Sequence, residues 1–324
     1  MNNYKKIGLT ALAASLVSTS AFAGELTVSG GASVNMSGHS GTALNEATSF
    51  TMGNQMTFSG SGELDNGLTV SLSVVIDVFD NDTANSEGAV NGSILDGHSV
   101  TVSSDTLGTF AFHGEGGASA ASALDTTAAG DMWDNFNSNG GVTLADSGPG
   151  DNSIMYTTPA LIDGFSANIS YNPQIAATGE TEIGYSVTYT GVEGLSASFG
   201  TTDLDRAGTA TDGDQNVWSA SYAYGPVTIS ASNNEYDITG TSSDQETSSY
   251  KISYTVSDSI SVSYGSEEVS VPGSVDAEFT GISASYTMGG MTISAAMQDG
   301  ENIGNATGAS NQVDYWSLGA SFAF

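Results

Sequence analysis

The chain has 324 residues, of which 36 are acidic and 4 are basic, and its formal charge is −32. Nucleic acid is excluded as a partner, because phosphate binding needs a basic face and two of the four basic residues are Lys5 and Lys6. The absence of cysteine excludes disulfide bonds, thiol chemistry and cysteine-bound metal centres. Apolar residues make up 39% of the chain, which is enough for a folded protein.

The N-terminus has the parts of a secretory signal peptide. Residues 1–6 are positive, residues 7–20 are an apolar stretch too short to span a bilayer comfortably, and residues 21–23 have the small-x-small form of a cleavage site. We expect cleavage after Ala23; a membrane anchor is the alternative, but no stop-transfer pattern follows. Residues 24–324 then form the exported chain, and the loss of two lysines changes the formal charge from −32 to −34.

Alternation of apolar and polar residues recurs along the exported chain. Residues 68–78 carry Leu, Val or Ile at every even position and mostly Thr or Ser at the odd ones. The same pattern returns at 183–189, 248–256 and 316–324. A strand of this kind has one apolar face, which fits a soluble sheet packed on a core or a membrane barrel with its apolar face outward.

Short and long connections alternate between the predicted strands. Seven short turns and eight long, acidic segments join sixteen strands. An even strand number with short periplasmic turns and long extracellular loops is typical of bacterial outer-membrane barrels, and closure removes exposed edge strands. We therefore predict an all-β fold, a transmembrane antiparallel β-barrel. The predicted strands are 25–36, 50–60, 68–78, 94–103, 109–114, 152–158, 165–171, 181–190, 195–200, 215–224, 227–236, 247–256, 260–266, 277–288, 291–298 and 312–324.

Aromatic residues favour the membrane barrel over the soluble sheet. They fall near both ends of the predicted apolar faces, and two aromatic belts are typical of a bilayer with two interfaces. The belt near the short turns is Tyr189, Tyr222, Tyr254, Tyr286 and Phe322, and the belt toward the long loops is Phe50, Tyr171, Phe199, Trp218, Tyr264 and Trp316.

Two internal segments and the last residue carry a family resemblance. Residues 56–75 read as a strand, a Gly-Glu-Leu-Asp-Asn-Gly turn and a second strand, and residues 152–165 read as a strand, a turn and the start of another. The chain ends on an aromatic residue, Phe324. In these motifs and in strand order the whole exported chain resembles the general, trimeric porins of Gram-negative bacteria. The resemblance implies a homotrimer in contact with outer-membrane lipid and lipopolysaccharide.

The resemblance also implies that the third long loop, residues 115–151, folds into the lumen and forms a constriction. It is the longest loop, and the alanine-rich stretch 118–129 predicts a short helix. A solvated surface loop is the alternative, although loops of this length are usually functional. The candidate constriction residues are Glu115, Asp125, Asp131, Asp134, Asp146 and Asp151.

The predicted lumen wall departs from the family pattern. General porins oppose the acidic loop with a cluster of Arg and Lys, whereas most inward positions of the early strands here are Ser or Thr. The transverse field described for such porins is therefore expected to be weak or absent. The candidate titratable wall residues are Asp77, His113 and Lys251, and the early inward positions are Thr57, Ser59, Thr69, Ser71, Ser73, Asp77, Thr101 and Ser103.

Enzyme and metal chemistry have little support. His39 falls in a long loop, His98 has outward parity and His113 inward parity, and no nucleophile motif accompanies any of them, so we predict a protein that is not an enzyme and has no cofactor. Acidic loop residues offer hard oxygen ligands for Ca²⁺, although no EF-hand is present and a solvated acidic surface is the alternative. The candidate calcium residues are Asp77, Asp80, Asp82, Asp203, Asp205, Asp212 and Asp214.

These features predict an outer-membrane porin, a passive water-filled diffusion channel for small hydrophilic solutes that prefers cations. A substrate-specific channel of the same architecture would need aromatic residues or paired charges along the lumen, and inward aromatic residues are scarce. An exported soluble β-rich adhesin or surface-layer protein is the alternative from another class.

Overall fold

Sixteen β-strands are present in the computed structural model of the protein, which describes residues 26–41, 48–77, 95–139, 151–160, 162–173, 181–204, 213–238, 244–308 and 311–324. The predicted signal peptide, residues 1–23, lies outside the described residues. The strands are β1 (Thr27–Gly41), β2 (Thr48–Glu63), β3 (Thr69–Asp77), β4 (Leu95–Ser104), β5 (Gly108–Glu115), β6 (Ser153–Thr157), β7 (Phe165–Asn172), β8 (Glu182–Tyr189), β9 (Leu195–Leu204), β10 (Gly213–Tyr224), β11 (Val227–Ile238), β12 (Gln245–Ser257), β13 (Ile260–Ser270), β14 (Ala277–Met288), β15 (Met291–Glu301) and β16 (Val313–Ala323).

Each strand pairs antiparallel with its neighbours in sequence, and the last strand returns to the first. β1 and β16 pair from Gly31 and Ala323 to Gly41 and Val313, which closes the sheet and leaves no free edge among the described strands. The sixteen predicted strands correspond one to one with the observed ones, so the predicted fold class is confirmed. β1 ends at Gly41 and not at residue 36, because backbone pairing continues beyond the apolar alternation on which the prediction rested.

The two faces of the barrel wall differ as the alternation predicted. Leu72 is 49% exposed on the outer face and lies opposite Val100 on the adjacent strand. Its neighbour Ser71 faces inward and lies opposite Ser61 and Thr101. The apolar groups therefore line the outside and the hydroxyl groups line the lumen, which is the reverse of a soluble sheet packed on a core.

The outward apolar band ends well below the tops of the strands. On the outward face of β10, Trp218 is the first large apolar residue after Asp214 and Asn216, and Tyr222 lies near the short turn. Trp218 therefore lies at mid-strand, because β10 continues beyond the apolar band toward the long loops. On this part of the barrel, between the apolar band and the long loops, the outward faces carry exposed carboxylates directly opposite one another on adjacent strands. These pairs are Asp203–Asp214, Asp214–Asp237, Glu235–Glu246, Glu268–Glu278, Glu278–Glu301 and Asp299–Asp314.

All short turns lie at one end of the barrel and all long connections at the other, as predicted. Gly67, Gly225 and Gly289 adopt positive φ angles of 80°, 57° and 60° in three of the short turns, a conformation that glycine adopts without strain. No helix within the described ranges is both long enough and apolar enough to cross a membrane. Adjacent strands are thus joined by short turns at one end of the barrel, and the long connections are confined to the other end.

Candidate pore and third long loop

The described part of the third long loop, residues 116–139, leaves β5 and follows the inner wall of the barrel past β7 to β16. Backbone N–H groups of this part donate to side chains that project inward from β7, β11, β12 and β13, so it lies inside the lumen against the wall, as the predicted fold required. These hydrogen bonds join Ala120 N to Ser170 Oγ (2.8 Å), Ala128 N to Ser232 Oγ (2.8 Å), Ala129 N to Ser249 Oγ (2.8 Å) and Trp133 N to Glu267 Oε2 (3.1 Å).

Inward glycines make room for this loop. A Cβ atom on Gly200 would lie 3.0 Å from Cα of Ala121, and one on Gly265 would lie 2.9 Å from Cβ of Ala129. The predicted helix at 118–129 is wrong, because the stretch forms successive turns. A helix would use most N–H groups internally, whereas here those of Ala120, Ala128 and Ala129 bond to the wall and only those of Ala123 and Leu124 close short turns with backbone carbonyls of the same stretch. The small alanine side chains permit the close approach to the wall.

The far part of the loop packs into an apolar cluster inside the long-loop end of the barrel. A 3-10 helix, Met132–Asn139, begins after Asp131, whose φ angle is 53°. Phe136 is fully buried, and its ring centroid lies 5.2 Å from that of Phe279. This part of the lumen is filled by side chains. The buried cluster comprises Met132, Phe136, Val269, Ala277, Phe279, Ile303, Val313 and Tyr315.

Glu267 is a buried acid that holds the loop. Its side chain is 1% exposed and accepts hydrogen bonds from the backbone N–H of Trp133 and from Ser249 Oγ, the latter at 3.5 Å. A buried acid without such partners is costly, and these donors offset part of the cost of its removal from water. Glu267 was missed from the sequence because its strand was predicted to end at residue 266.

The candidate constriction residues divide into two groups. Asp125, Asp131 and Asp134 are exposed on the loop. Glu115 instead ends β5, and Asp151 accepts a hydrogen bond from Gly116 N at 3.4 Å, so these two lie at the base of the loop. Asp146, the remaining candidate, lies outside the described residues. Three of the six candidates are therefore exposed on the described part of the loop.

The three predicted wall residues lie on separate strands. Asp77 ends β3 opposite Gln55. His113 lies on β5 opposite Ser99, and Lys251 lies on β12 opposite Ser230 and Gly265. Each is partly buried on the inward side, as its parity predicted. They do not form one site.

The wall of the first four strands presents hydroxyl groups to the lumen. Serine and threonine side chains from these strands line a concavity of about 320 Å³. Residues 7–205 contain no Lys or Arg, so the basic cluster of general porins has no counterpart on β1 to β9. The hydroxyl-bearing residues of the concavity are Thr27, Ser59, Ser61, Ser71, Ser73, Ser99 and Thr101.

The three histidines do not converge on a common site. His39 was predicted in a loop, but it lies on β1 and its Nε2 is 2.7 Å from the carbonyl oxygen of Asn135. His98 faces outward and covers Gly114, where an added Cβ would lie 1.9 Å from its Nε2. His113 faces the lumen. The sequence contained one indication that His39 faces the lumen: it has the inward parity of β1. This indication was missed because β1 was predicted to end at residue 36.

The candidate calcium residues are only partly described. Asp80, Asp82, Asp205 and Asp212 lie outside the described residues. Asp203 and Asp214 face each other on β9 and β10, and Asp77 lies at the end of β3. Within the described ranges, no three His, Asp or Glu side chains form a group suited to a metal ion. Calcium binding stays a prediction.

Comparison with known proteins shows which family has this sequence and this barrel. A family model described as Gram-negative porin matches residues 8–324. Similar solved structures include the anion-selective porin from Comamonas acidovorans, at 19% identity and a TM-score of 0.69 over 93% of this chain and 99% of that chain. A mutant of the Rh. blastica porin has 18% identity and a TM-score of 0.67 over 93% and 100% of the two chains.

A loop L8 deletion mutant of OmpT, an outer membrane protein of Vibrio cholerae, has 14% identity and a TM-score of 0.62 over 93% of this chain and 99% of that chain. No curated protein matches the chain. The solved structures share the barrel, and the family match spans nearly the whole sequence. The chain therefore belongs to the Gram-negative porin family and is a channel protein of the bacterial outer membrane.

Proposed function

We propose that this porin is a passive, water-filled channel for small hydrophilic solutes and that it prefers cations. The observation that carries the proposal is the exposure of Asp125, Asp131 and Asp134 on a loop inside the lumen. In a narrow pore with low-dielectric walls, fixed carboxylates concentrate cations and repel anions.

The composition of the wall supports the same sign of selectivity. β1 to β9 contain no Lys or Arg, and the exported chain has only Arg206 and Lys251. Among the described residues, Lys251 is the one Lys or Arg, and it lies on the barrel wall; Arg206 lies outside the described residues. A Comamonas porin with a similar barrel is anion-selective, so the fold gives no support for cation preference, and the proposal rests on the local charges of this chain.

A substrate-specific channel is less well supported. Such a channel would present aromatic rings or paired charges to the solute along its path. The inward rings of Phe279 and Tyr315 are buried against Phe136 of the third loop and are not presented to the channel. Conductance that rises with solute concentration without saturating would agree with diffusion, and saturation at low concentration would favour a specific site.

Neutralisation of the loop carboxylates tests the selectivity proposal. The double variant Asp131→Asn, Asp134→Asn should shift the reversal potential toward zero in a KCl gradient across a planar bilayer. The matched control is Asp203→Asn, Asp214→Asn, which removes the same charge from an exposed pair on the outer face. An equal shift in both variants, or anion preference of the wild type in dilute salt, would contradict the proposal.

We also propose that the channel is a homotrimer and that its subunits meet through the outer face of β1 to β5. Residues 24–131 contain no Tyr or Trp, whereas outward Tyr and Trp residues occur on later strands such as β10 and β16. Tyr and Trp are enriched where a protein meets the bilayer interface, so a face without them fits contact with protein. Outer-membrane lipid and lipopolysaccharide would cover the remaining face. Sedimentation of the detergent-extracted protein at monomer mass would oppose this assembly.

The export signal is proposed to end at Ala23. Mass determination of the protein purified from outer membranes should then give a mature chain that starts at Gly24. A protein that retains Lys5 and Lys6 would oppose cleavage there.

A further inference from the structure

His39 links the first strand of the barrel to the far end of the third long loop. It projects inward from β1, directly opposite Tyr315 of β16. Its Nε2 lies 2.7 Å from the carbonyl oxygen of Asn135, which is in the 3-10 helix of the loop. Because a carbonyl can only accept, Nε2 carries the hydrogen and donates it.

The imidazole ring is also held by aromatic neighbours. Its centroid lies 5.1 Å from that of Tyr315 and 6.2 Å from that of Phe136, and the planes of His39 and Phe136 are inclined by 67°. These contacts fix the orientation of the ring, so that Nε2 points toward the loop. A hydrogen bond and a packed ring therefore act together at one residue.

A second side-chain contact secures the same residue of the loop. Asn135 Nδ2 donates to Gln298 Oε1 of β15 at 3.0 Å. The earlier hydrogen bonds of the loop run from β7 to β13. With Gln298 and His39, the attachment continues to β15 and across the β16–β1 junction. Asp134 lies between this last attachment and the hydrogen bond of Trp133, and Asp131 lies between the hydrogen bonds of Ala129 and Trp133.

We propose that His39 is a positioning residue of the pore: its Nε2–H bond to Asn135 fixes the segment that carries Asp131 and Asp134, and thereby steadies the open channel. The effect on current depends on the proposed role of the third loop as the constriction. The effect on loop position does not. The two parts can therefore be measured separately.

The test separates the hydrogen bond from the packing of the ring. His39→Phe keeps a ring between Phe136 and Tyr315 but removes the donor, whereas His39→Gln keeps an N–H donor. Ser40→Ala, at the next residue of β1, is the matched control. All variants are made in a protein with Trp218→Phe and Trp316→Phe, so that Trp133 of the loop is the remaining tryptophan. Acrylamide quenching of Trp133 reports loop position, and single-channel recording reports substates and noise.

Loss of one neutral hydrogen bond should raise the detached population of the loop about fivefold. We expect His39→Phe to show stronger Trp133 quenching and about a fivefold rise in the time spent in substates, and His39→Gln to restore most of both. Wild-type quenching in His39→Phe would overturn the inference, as would an equal change in Ser40→Ala. Stronger quenching with unchanged current would support the positioning role of His39 and contradict the constriction role of the loop.

Discussion

Leu72 and Ser71 are adjacent in sequence, but their side chains lie on opposite faces of the barrel wall. Leu72 lies on the outer apolar band, and Ser71 lines the hydroxyl-rich concavity. We expect Leu72→Arg to lower the free energy of unfolding by about 2–4 kcal/mol in a single subunit inserted in lipid, and also to destabilise the proposed trimer, because a charge on the outer face of β3 must leave water for lipid or for a neighbouring subunit; Ser71→Arg should change it little. Reversible urea unfolding in lipid vesicles measures both values. Equal tolerance at the two positions would contradict the orientation of β3.

Gly200 tests the close contact between loop and wall. An added Cβ would lie 3.0 Å from Cα of Ala121, a backbone atom that must move if the side chain grows. Gly200→Val should therefore displace the third loop into the lumen, lower single-channel conductance and cost about 1–3 kcal/mol of stability.

Gly97 provides the control for this substitution. It lies on β4, and a Cβ there would meet its neighbours at ordinary distances of 3.6 to 3.9 Å. Gly97→Ala should leave conductance and stability near wild type. If Gly200→Val conducts as well as the wild type while remaining folded, the loop is not seated on Gly200.

Single residues of the pore were predictable only where their effect is local. The inward parity of His113 and Lys251 followed from the alternation of their strands. The roles of Glu267 and His39 did not, because each is defined by a contact with the third loop far away in sequence. Trp133 and Glu267, for example, are 134 residues apart.

The upper parts of β13, β14 and β15 carry a row of like charges on their outer faces. Glu278 lies between Glu268 and Glu301, directly opposite both. Like charges in this arrangement repel, so Glu278→Lys should raise the free energy of unfolding by about 1 kcal/mol at low ionic strength. In about 1 M salt, where the Debye length is about 3 Å, the gain should largely disappear. Thermal unfolding in detergent at the two salt concentrations measures the difference. A gain that is the same in both would exclude charge repulsion as its cause.

The third loop shows how a tertiary contact overrides local propensity. Alanine is the best helix former, and the stretch 118–129 therefore predicted a helix. The wall offers Ser170, Ser232 and Ser249 as hydrogen-bond partners for N–H groups of this stretch, and glycines beneath it allow a close approach. A series of turns that runs along the wall lets these N–H groups reach the serine hydroxyl groups, whereas a regular helix would not.

For the whole molecule, the large negative charge predicts a selectivity that depends on salt. The exported chain has a formal charge of −34, but many of its acids lie on the outer face or in long loops. Screening acts over about 10 Å at 0.1 M salt and about 3 Å at 1 M. Cation preference, measured as the reversal potential at a fixed concentration ratio, should therefore weaken as salt rises and persist only in part. A preference independent of salt would mean that charges directly in contact with the ions set it.

The sequence by itself determined the barrel, its sixteen strands, the outward and inward faces and the excess of negative charge. The strands and their faces follow from local sequence, because alternate side chains of a strand meet the outside and the lumen. The net charge is simply the sum of the charges of the ionisable residues. The family resemblance implied a third loop inside the lumen, but only the tertiary structure decided which strands the loop follows, which of its carboxylates are exposed, and that Glu267 and His39 hold it. The physical reason is that the loop has no periodicity of its own. Its path is selected by hydrogen bonds and packing against strands that the chain brings within reach only when the barrel has closed.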